Sequence, residues 1–306
     1  MLDDKRDCLG SIVLFRRRAG TTRNPVISIS GRRTMLHNHA RMWFASIWVF
    51  TLNLPWQLGA VFFLRHLVDG DPASNTLGWR WGCGLHTKGK TYLARVSNIT
   101  SYTDNRFDPG GQLAVSAAPV QENAEHPLVP LPAPQILNPG LRFGLAITEE
   151  DCSPESLLGD AKPRSVIVMP AVERLSPLPT SQIVREFTLG ALLDAASRVE
   201  EHFSIGVEQA QTEDWAEALV EWALNTGLNT IVTGYMPVGP AADRFATARD
   251  ALGNRGIRLL QIRRHYDSVS WPHASKGYFK LKAQIPQLLL RLEIPRRAAG
   301  SSRAAG

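Results

Sequence analysis

Large hydrophobic residues recur along the chain with two different periods. Between residues 37 and 107 they repeat at helical spacing and are dense in Trp, Phe and Leu, which predicts a block of buried helices. Beyond residue 164, short β-branched runs alternate with helical patterns, which favours a parallel, doubly wound sheet. The predicted helices cover 36–52, 56–68, a stretch from Pro72, 181–202, 212–225 and 241–252, and the predicted strands cover 165–169, 229–233 and 257–262.

Between the two blocks the chain is rich in proline, which is typical of an extended linker. The predicted fold class is therefore α plus α/β, with a helical domain, a Pro-rich linker and a doubly wound α/β domain. The boundaries that we predict are an irregular basic leader (1–33), the helical domain (34–110), the linker (111–164), the α/β domain (165–295) and a basic tail (296–306).

One apolar run, Met42 to Leu64, has no charged residue and is long enough to cross a bilayer. Asn53, Pro55 and Gln57 interrupt it, and Pro55 removes a backbone donor. The run is therefore predicted to form two packed helices that meet at a kink, and no membrane partner is expected.

The net charge of +6 and the pI of about 9.5 suit a polyanion such as nucleic acid. The basic clusters fall in the predicted leader and tail, however, where a solubilising segment is the alternative explanation. The three cysteines, Cys8, Cys83 and Cys152, form no CxxC pair and so indicate neither a disulfide framework nor a metal site. This cysteine usage fits a reducing cytoplasm.

The segment Gly84 to Thr91 has the spacing of a phosphate-binding P-loop, with Lys90 in the lysine position. A P-loop requires a buried strand before it and a helix directly after it, and the flanking residues predict neither. We therefore do not expect a nucleoside triphosphate site here.

The segment Asp69 to Asn75 combines two carboxylates, Gly70 and an amide around a predicted helix start at Pro72. Three interpretations are open: a plain helix cap, a DxD metal site that lacks further nearby ligands, and a place that holds the polar edge of a ring.

Several motifs in register resemble the flavin-binding core of photolyases and cryptochromes. They are Leu36 to Met42, Trp56, Asp69 to Asn75 and Trp79 to Trp81, and the segment from Lys90 to Pro109 continues the similarity more loosely. The resemblance implies FAD as the cofactor. It also implies that the flavin is surrounded by Asn38, Arg41, Asp69, Gly70, Asp71 and Asn75.

In the resembled family, the position of Asn75 faces the reactive nitrogen of the flavin, and asparagine there is typical of photolyases. By the same resemblance, Trp79 and Trp56 are the proximal and middle members of an electron relay. Met42 and Trp81 match positions that contact the damaged base. For any single tryptophan, an ordinary core role is the alternative.

The resemblance implies a light-driven lyase that transfers an electron from FAD to pyrimidine dimers in DNA. The alternative is a cryptochrome-like blue-light photoreceptor or a non-catalytic FAD-binding relative. The C-terminal unit resembles the antenna-type domain of photolyases, and the strand ends near Met169 and Gly234 are the default ligand position in such a sheet. A structural domain without a ligand is equally compatible.

Overall fold

The computed structural model describes residues 12–13, 28–29, 36–275 and 277–293. Within them the chain forms a helical unit followed by an α/β unit, in agreement with the predicted α plus α/β class. In the predicted leader, β1 (Ile12–Val13) pairs antiparallel with β2 (Ser28–Ile29). The rest of the leader before residue 36 and the predicted basic tail, 296–306, lie outside the described residues.

The described helical unit has four α-helices and one π-helical turn. They are α1 (Asn38–Ser46), the π turn (Ile47–Thr51), α2 (Trp56–His66), α3 (Pro72–Gly82) and α4 (Val96–Tyr102). The first predicted helix is thus α1 extended by a wider turn, in which the Leu52 amide donates to the Ile47 carbonyl. Pro55 lies directly before α2, where its missing N–H costs no helical hydrogen bond.

The core of this unit explains the uncharged run from Met42 to Leu64. Its largest buried side chains come from α1, the π turn, α2 and α3, and include Trp43, Phe44, Ile47, Phe63 and Trp79. Burial of these side chains stabilises a packed helical hairpin. Among the described residues, no helix combines the length and the hydropathy of a membrane span.

From Thr103 to Phe143 the chain contains no helix or strand, apart from an isolated bridge between Gln135 and Ile262. The next strand, β3 (Gly144–Ile147), lies inside the segment that we predicted to be linker, as does the short helix α5 (Pro154–Leu158). The α/β unit therefore begins earlier than residue 165. The strand is only four residues long and lies between prolines, so its pattern is too short to identify.

The sheet of the α/β unit has five parallel strands in the order β5-β4-β3-β6-β7. The strands after β3 are β4 (Ser165–Val168), β5 (Val207–Gln209), β6 (Thr230–Gly234) and β7 (Arg258–Ile262). The helices after α5 are α6 (Gln182–Phe203), α7 (Trp215–Asn225), α8 (Pro240–Gly253), α9 (His265–Ser270) and α10 (Tyr278–Arg291). Strand order reverses between β3 and β6.

Both faces of the sheet are covered. Helices α7 and α8 pack against one face through Trp222 and Phe245, and α6 packs against the other through Leu192 and Val199. Gly144 in β3 makes room for the Trp222 ring, because a Cβ there would lie 2.3 Å from that ring.

The two units contact each other along α2 and α3. The Ser181 amide donates to the Arg65 carbonyl at 2.9 Å, and Arg65 Nε donates to the Pro179 carbonyl at 2.7 Å. Pro72, at the start of α3, lies against Gly239, which precedes α8. The α/β unit therefore packs beside the Asp69 to Asn75 segment.

Candidate functional site

A cavity of about 570 Å³ lies among α1, α2 and α3. This volume is within the usual range for small-molecule sites. Most of the residues predicted from the sequence line it together: Asn38, Arg41, Met42, Asp69, Gly70, Asn75, Trp79 and Trp81.

The Arg41–Asp69 pair forms part of the wall of this cavity. Arg41 Nη2 donates to both carboxylate oxygens of Asp69, at 2.9 and 2.6 Å. Arg41 Nε donates to the Leu36 carbonyl at 2.8 Å, which fixes the plane of the guanidinium. The two side chains are 28% and 46% exposed, so the pair is partly open to solvent.

Asn75 is oriented by the neighbouring helix. Its Nδ2 donates to the Ala60 carbonyl of α2 at 2.8 Å. Since a carbonyl can only accept a hydrogen bond, Ala60 requires the amide nitrogen on its side. The oxygen Oδ1 is thereby left to accept a hydrogen bond from a ligand.

Trp79 forms an aromatic side of the cavity and is 2% exposed. Its ring meets those of Phe63, Phe44 and Trp48 edge to face, with centroid distances of 5.1, 6.2 and 6.3 Å. The indole nitrogen is buried and has no hydrogen-bond partner among the described residues. The ring is thus fixed by packing alone.

Small residues of α3 leave space for a flat ligand. Ser74, Gly78 and Gly82 lie four residues apart, on one face of the helix, and all three line the cavity. A Cβ at Gly78 or Gly82 would meet no atom within 4 Å. A larger side chain at either position would extend into this open space.

The backbone turn before α3 also depends on a glycine. A Cβ at Gly70 would lie 3.0 Å from the Leu67 carbonyl oxygen and 3.2 Å from Leu64. Glycine therefore allows the turn that carries Asp69 to lie close to the end of α2. Asp71 does not line this cavity; its carboxylate caps α3 by accepting from the Ser74 amide at 2.6 Å.

Two aromatic residues and a thioether lie at the outer side of the cavity. Trp81 is 43% exposed, and its ring lies 5.8 Å from that of Tyr92. Asn38 Nδ2 is 3.6 Å from Met42 Sδ. These groups present an apolar, polarisable surface.

Trp56 lies away from this cavity. Its buried ring has the Arg80 guanidinium above it at 5.7 Å, and Arg80 also pairs with Glu122 at 2.6 Å. In contrast, sequence reasoning did not identify Phe63, Leu67 and Tyr92, which line the cavity. Ordinary core positions carry no signal that separates them from a ligand wall.

A second, smaller cavity of about 240 Å³ lies between the two units and shares Leu67, Asp69 and Gly70 with the first. Burial raises the pKa of Glu150 in its wall to about 7, with a further contribution from the Asp71 and Glu149 carboxylates. Burial also raises the pKa of Glu149, although its carboxylate accepts the Ala171 amide at 2.9 Å. The cavity between the units is therefore lined by several carboxyl groups, among them those of Asp71, Glu149 and Glu150.

The carboxyl end of β6 is occupied by side chains of the chain itself. Arg264 Nη1 and Nη2 donate to Asp151 Oδ2 and Oδ1 at 2.6 and 2.8 Å. The Asp151 carboxylate lies over Gly234, where a Cβ would be 2.8 Å from Oδ2. This ion pair fills the position beside Gly234 that is the default ligand location in such sheets.

The segment with P-loop spacing follows helix α3 rather than a strand, and the next helix begins only at Val96. It forms turns closed by a bridge between Cys83 and Thr91. Across the described parts of the chain, no three His, Cys, Asp or Glu side chains are grouped so that they could hold a metal ion.

Comparison with known proteins assigns the helical unit to a family. Residues 31–133 match the family described as the FAD binding domain of DNA photolyase. The chain thus carries a partial FAD-binding domain of the photolyase/cryptochrome family, and FAD is the cofactor of that domain. This finding confirms the predicted family and the predicted cofactor.

Among the relatives are enzymes named deoxyribodipyrimidine photo-lyase. The chain is 35% identical to that of Salmonella typhimurium over 97 residues, which is 30% of this chain and 20% of the relative. It is 40% identical to that of Streptomyces griseus over 98 residues, 31% of this chain and 21% of the relative. The chain therefore spans about a fifth of the length of these relatives. No solved structure gives a significant match.

The cavity fits the ring system of a flavin. Its apolar walls come from Phe63, Leu67 and Trp79, its polar groups from Asn75 and the Arg41–Asp69 pair, and open space lies over Gly78. A planar heteroaromatic ring with a hydrogen-bonding edge requires such a combination.

Proposed function

We propose that the chain is a photolyase-related flavoprotein that acts on pyrimidine dimers in DNA. The observation that carries this proposal is the convergence of Arg41, Asp69, Asn75 and Trp79 on one cavity. When bound, FAD supplies the light-excited electron that splits the dimer.

Within this proposal, Asn75 and the Arg41–Asp69 pair hold the polar edge of the ring. Asn75 Oδ1 accepts a hydrogen bond from a ring N–H, because its amide nitrogen is used by Ala60. The guanidinium and carboxylate are already paired, so they polarise the ring edge with little reorganisation.

Trp79 is proposed to donate an electron to the light-excited oxidised cofactor. Its buried ring lines the cavity. An indole is readily oxidised, and rigid packing keeps its distance to a bound ring constant.

Met42 and Trp81 are proposed to contact the damaged bases. Trp81 is exposed enough to stack on a base that leaves the duplex, as aromatic side chains do in enzymes that act on flipped nucleotides. The net charge of +6 favours the approach of DNA.

The test is a repair assay with the full chain, loaded with FAD, reduced, and illuminated with an oligonucleotide that contains one pyrimidine dimer. We expect loss of the dimer in the light and none in the dark. Met42→Ala with Trp81→Ala is expected to abolish repair while FAD remains bound. Retained flavin that photoreduces but repairs nothing would favour the alternative, a cryptochrome-like photoreceptor or a non-catalytic relative.

A further inference from the structure

A ring contact between Trp79 and Trp48 leads from the cavity toward the surface. The two indoles lie 6.3 Å apart, centroid to centroid, at 83°. Trp48 is half-buried, whereas Trp79 is 2% exposed. Trp48 therefore connects the most buried indole of the site with solvent.

The position of Trp48 results from the π turn. This turn inserts a wider backbone ring, in which the Leu52 amide reaches back to Ile47, and Trp48 lies inside it. Trp48 Nε1 donates to the Pro55 carbonyl at 2.9 Å, and its ring stacks with Phe44 and Phe62 at 5.8 and 6.1 Å. The indole is held firmly in place on the side of Trp79.

The three other tryptophans of the helical unit lack this contact with Trp79. Among the described aromatic pairs, Trp81 meets Tyr92 alone. In the same set of pairs, Trp43 meets His39 and Tyr102 but not Trp79, and Trp56 meets no ring. The Arg80 guanidinium over Trp56 disfavours a positive charge on that ring, although Glu122 offsets part of this effect. Within the described residues no cation lies over Trp48.

We propose that Trp48, rather than Trp56, is the electron donor that restores Trp79 after photo-oxidation. This inference rests on the proposed function, which supplies photoexcited oxidised FAD as the oxidant. Trp79 loses one electron to that oxidant, and Trp48 then passes one electron to Trp79. The Trp48 radical cation keeps its Nε1–H bonded to the Pro55 carbonyl. A thiolate in solution then returns one electron to it and becomes a thiyl radical.

The experiment uses the full chain and has one measurement without flavin. Trp48 and Trp79 form an edge-to-face aromatic pair. Coupling between the transition dipoles of two such close indoles gives a pair of circular dichroism bands of opposite sign. We expect this pair of bands to disappear in Trp48→Phe and in Trp79→Phe and to remain in Trp56→Phe. A spectrum that Trp48→Phe leaves unchanged would overturn the contact and with it the proposal.

The second measurement is the rate at which bound FAD is photoreduced with a thiol as reductant. We expect Trp48→Phe to lower this rate by about tenfold, and Trp56→Phe to change it by less than about twofold. Trp48→Tyr should recover much of the rate, because tyrosine is oxidisable whereas phenylalanine is not, and a purely structural role would not separate these two variants.

The opposite order, with Trp56→Phe slower than Trp48→Phe, would assign the step to Trp56. Failure of every variant and of the wild type to retain FAD would refute the proposed function and the donor role together. Retained FAD with a photoreduction rate that Trp48→Phe leaves unchanged would refute the donor role alone, so the two failures are distinguishable.

Discussion

Gly59 and Trp79 occupy complementary positions, because a Cβ on Gly59 would lie 2.2 Å from Cη2 of the Trp79 ring. The indole of Trp79 in α3 occupies the space that a side chain at Gly59 in α2 would need. The orientation of Trp79 toward the cavity thus depends on a residue that does not line the cavity.

We expect Gly59→Ala to displace the Trp79 ring and to destabilise the helical unit by about 1–3 kcal/mol, as overpacking of a core typically does. Urea unfolding followed by tryptophan fluorescence measures this loss. The matched control is Gly78→Ala, a helical glycine with open space around it, which should be neutral or stabilising by up to about 1 kcal/mol. Equal stability of the two variants would contradict the packing argument.

Replacement of Gly78 by leucine is expected to fill the proposed ring site. Since a Cβ at Gly78 meets no atom within 4 Å, the side chain should be accommodated without loss of stability. FAD affinity, measured by fluorescence titration, should fall by at least about tenfold, or ~1.4 kcal/mol. Gly190→Leu, at an exposed helical glycine of α6 with equally open space, is the control and should bind FAD like the wild type. Normal affinity in Gly78→Leu would place the ring elsewhere.

The two aspartates of the turn before α3 should have separable effects. Asp69→Ala leaves Arg41 without its carboxylate and should lower FAD affinity by about tenfold, a moderate loss because the pair is partly exposed. Asp71→Ala removes a helix cap and should instead lower the free energy of unfolding by about 0.5–2 kcal/mol. FAD titration and urea denaturation of both variants measure these two effects. A larger loss of FAD affinity in Asp71→Ala than in Asp69→Ala would contradict the roles given to the two aspartates.

Much of this arrangement could be predicted from the sequence, and the failures have physical causes. Three of the five parallel strands, β4, β6 and β7, were predicted from short apolar runs, whereas β3 is four residues long and β5 exposes Glu208 and Gln209. The order and spacing of the motifs predicted that Arg41, Asp69 and Asn75 share one site, and all three line one cavity. The direction of Trp48 was not predictable, because it follows from a π turn that periodicity does not reveal.

The acidic contact between the units should make stability depend on pH. The folded pKa of Glu150 is raised from 4.5 to about 7, so the stability associated with its protonated form is complete below pH 4.5 and is lost as pH rises through about 7. Glu150→Gln should therefore stabilise the protein by about 1–2 kcal/mol at pH of about 8, after allowance for solvent screening, and by little at about pH 5.

Urea unfolding of wild type and Glu150→Gln at the two pH values measures this difference. Glu201→Gln, at a solvent-exposed position of α6, serves as the control and should show no such dependence. A stabilisation that is equal at both pH values would exclude titration of Glu150 as its cause.

The central claim is that the helical unit holds FAD in the cavity lined by Arg41, Asp69, Asn75 and Trp79. An absorption spectrum tests this claim most directly. The purified full chain is incubated with FAD, passed through a desalting column and measured in the visible range beside Gly78→Leu. We predict a retained flavin band in the wild type and its loss in the variant. A wild-type spectrum without flavin, or an equal band in both proteins, would contradict the claim.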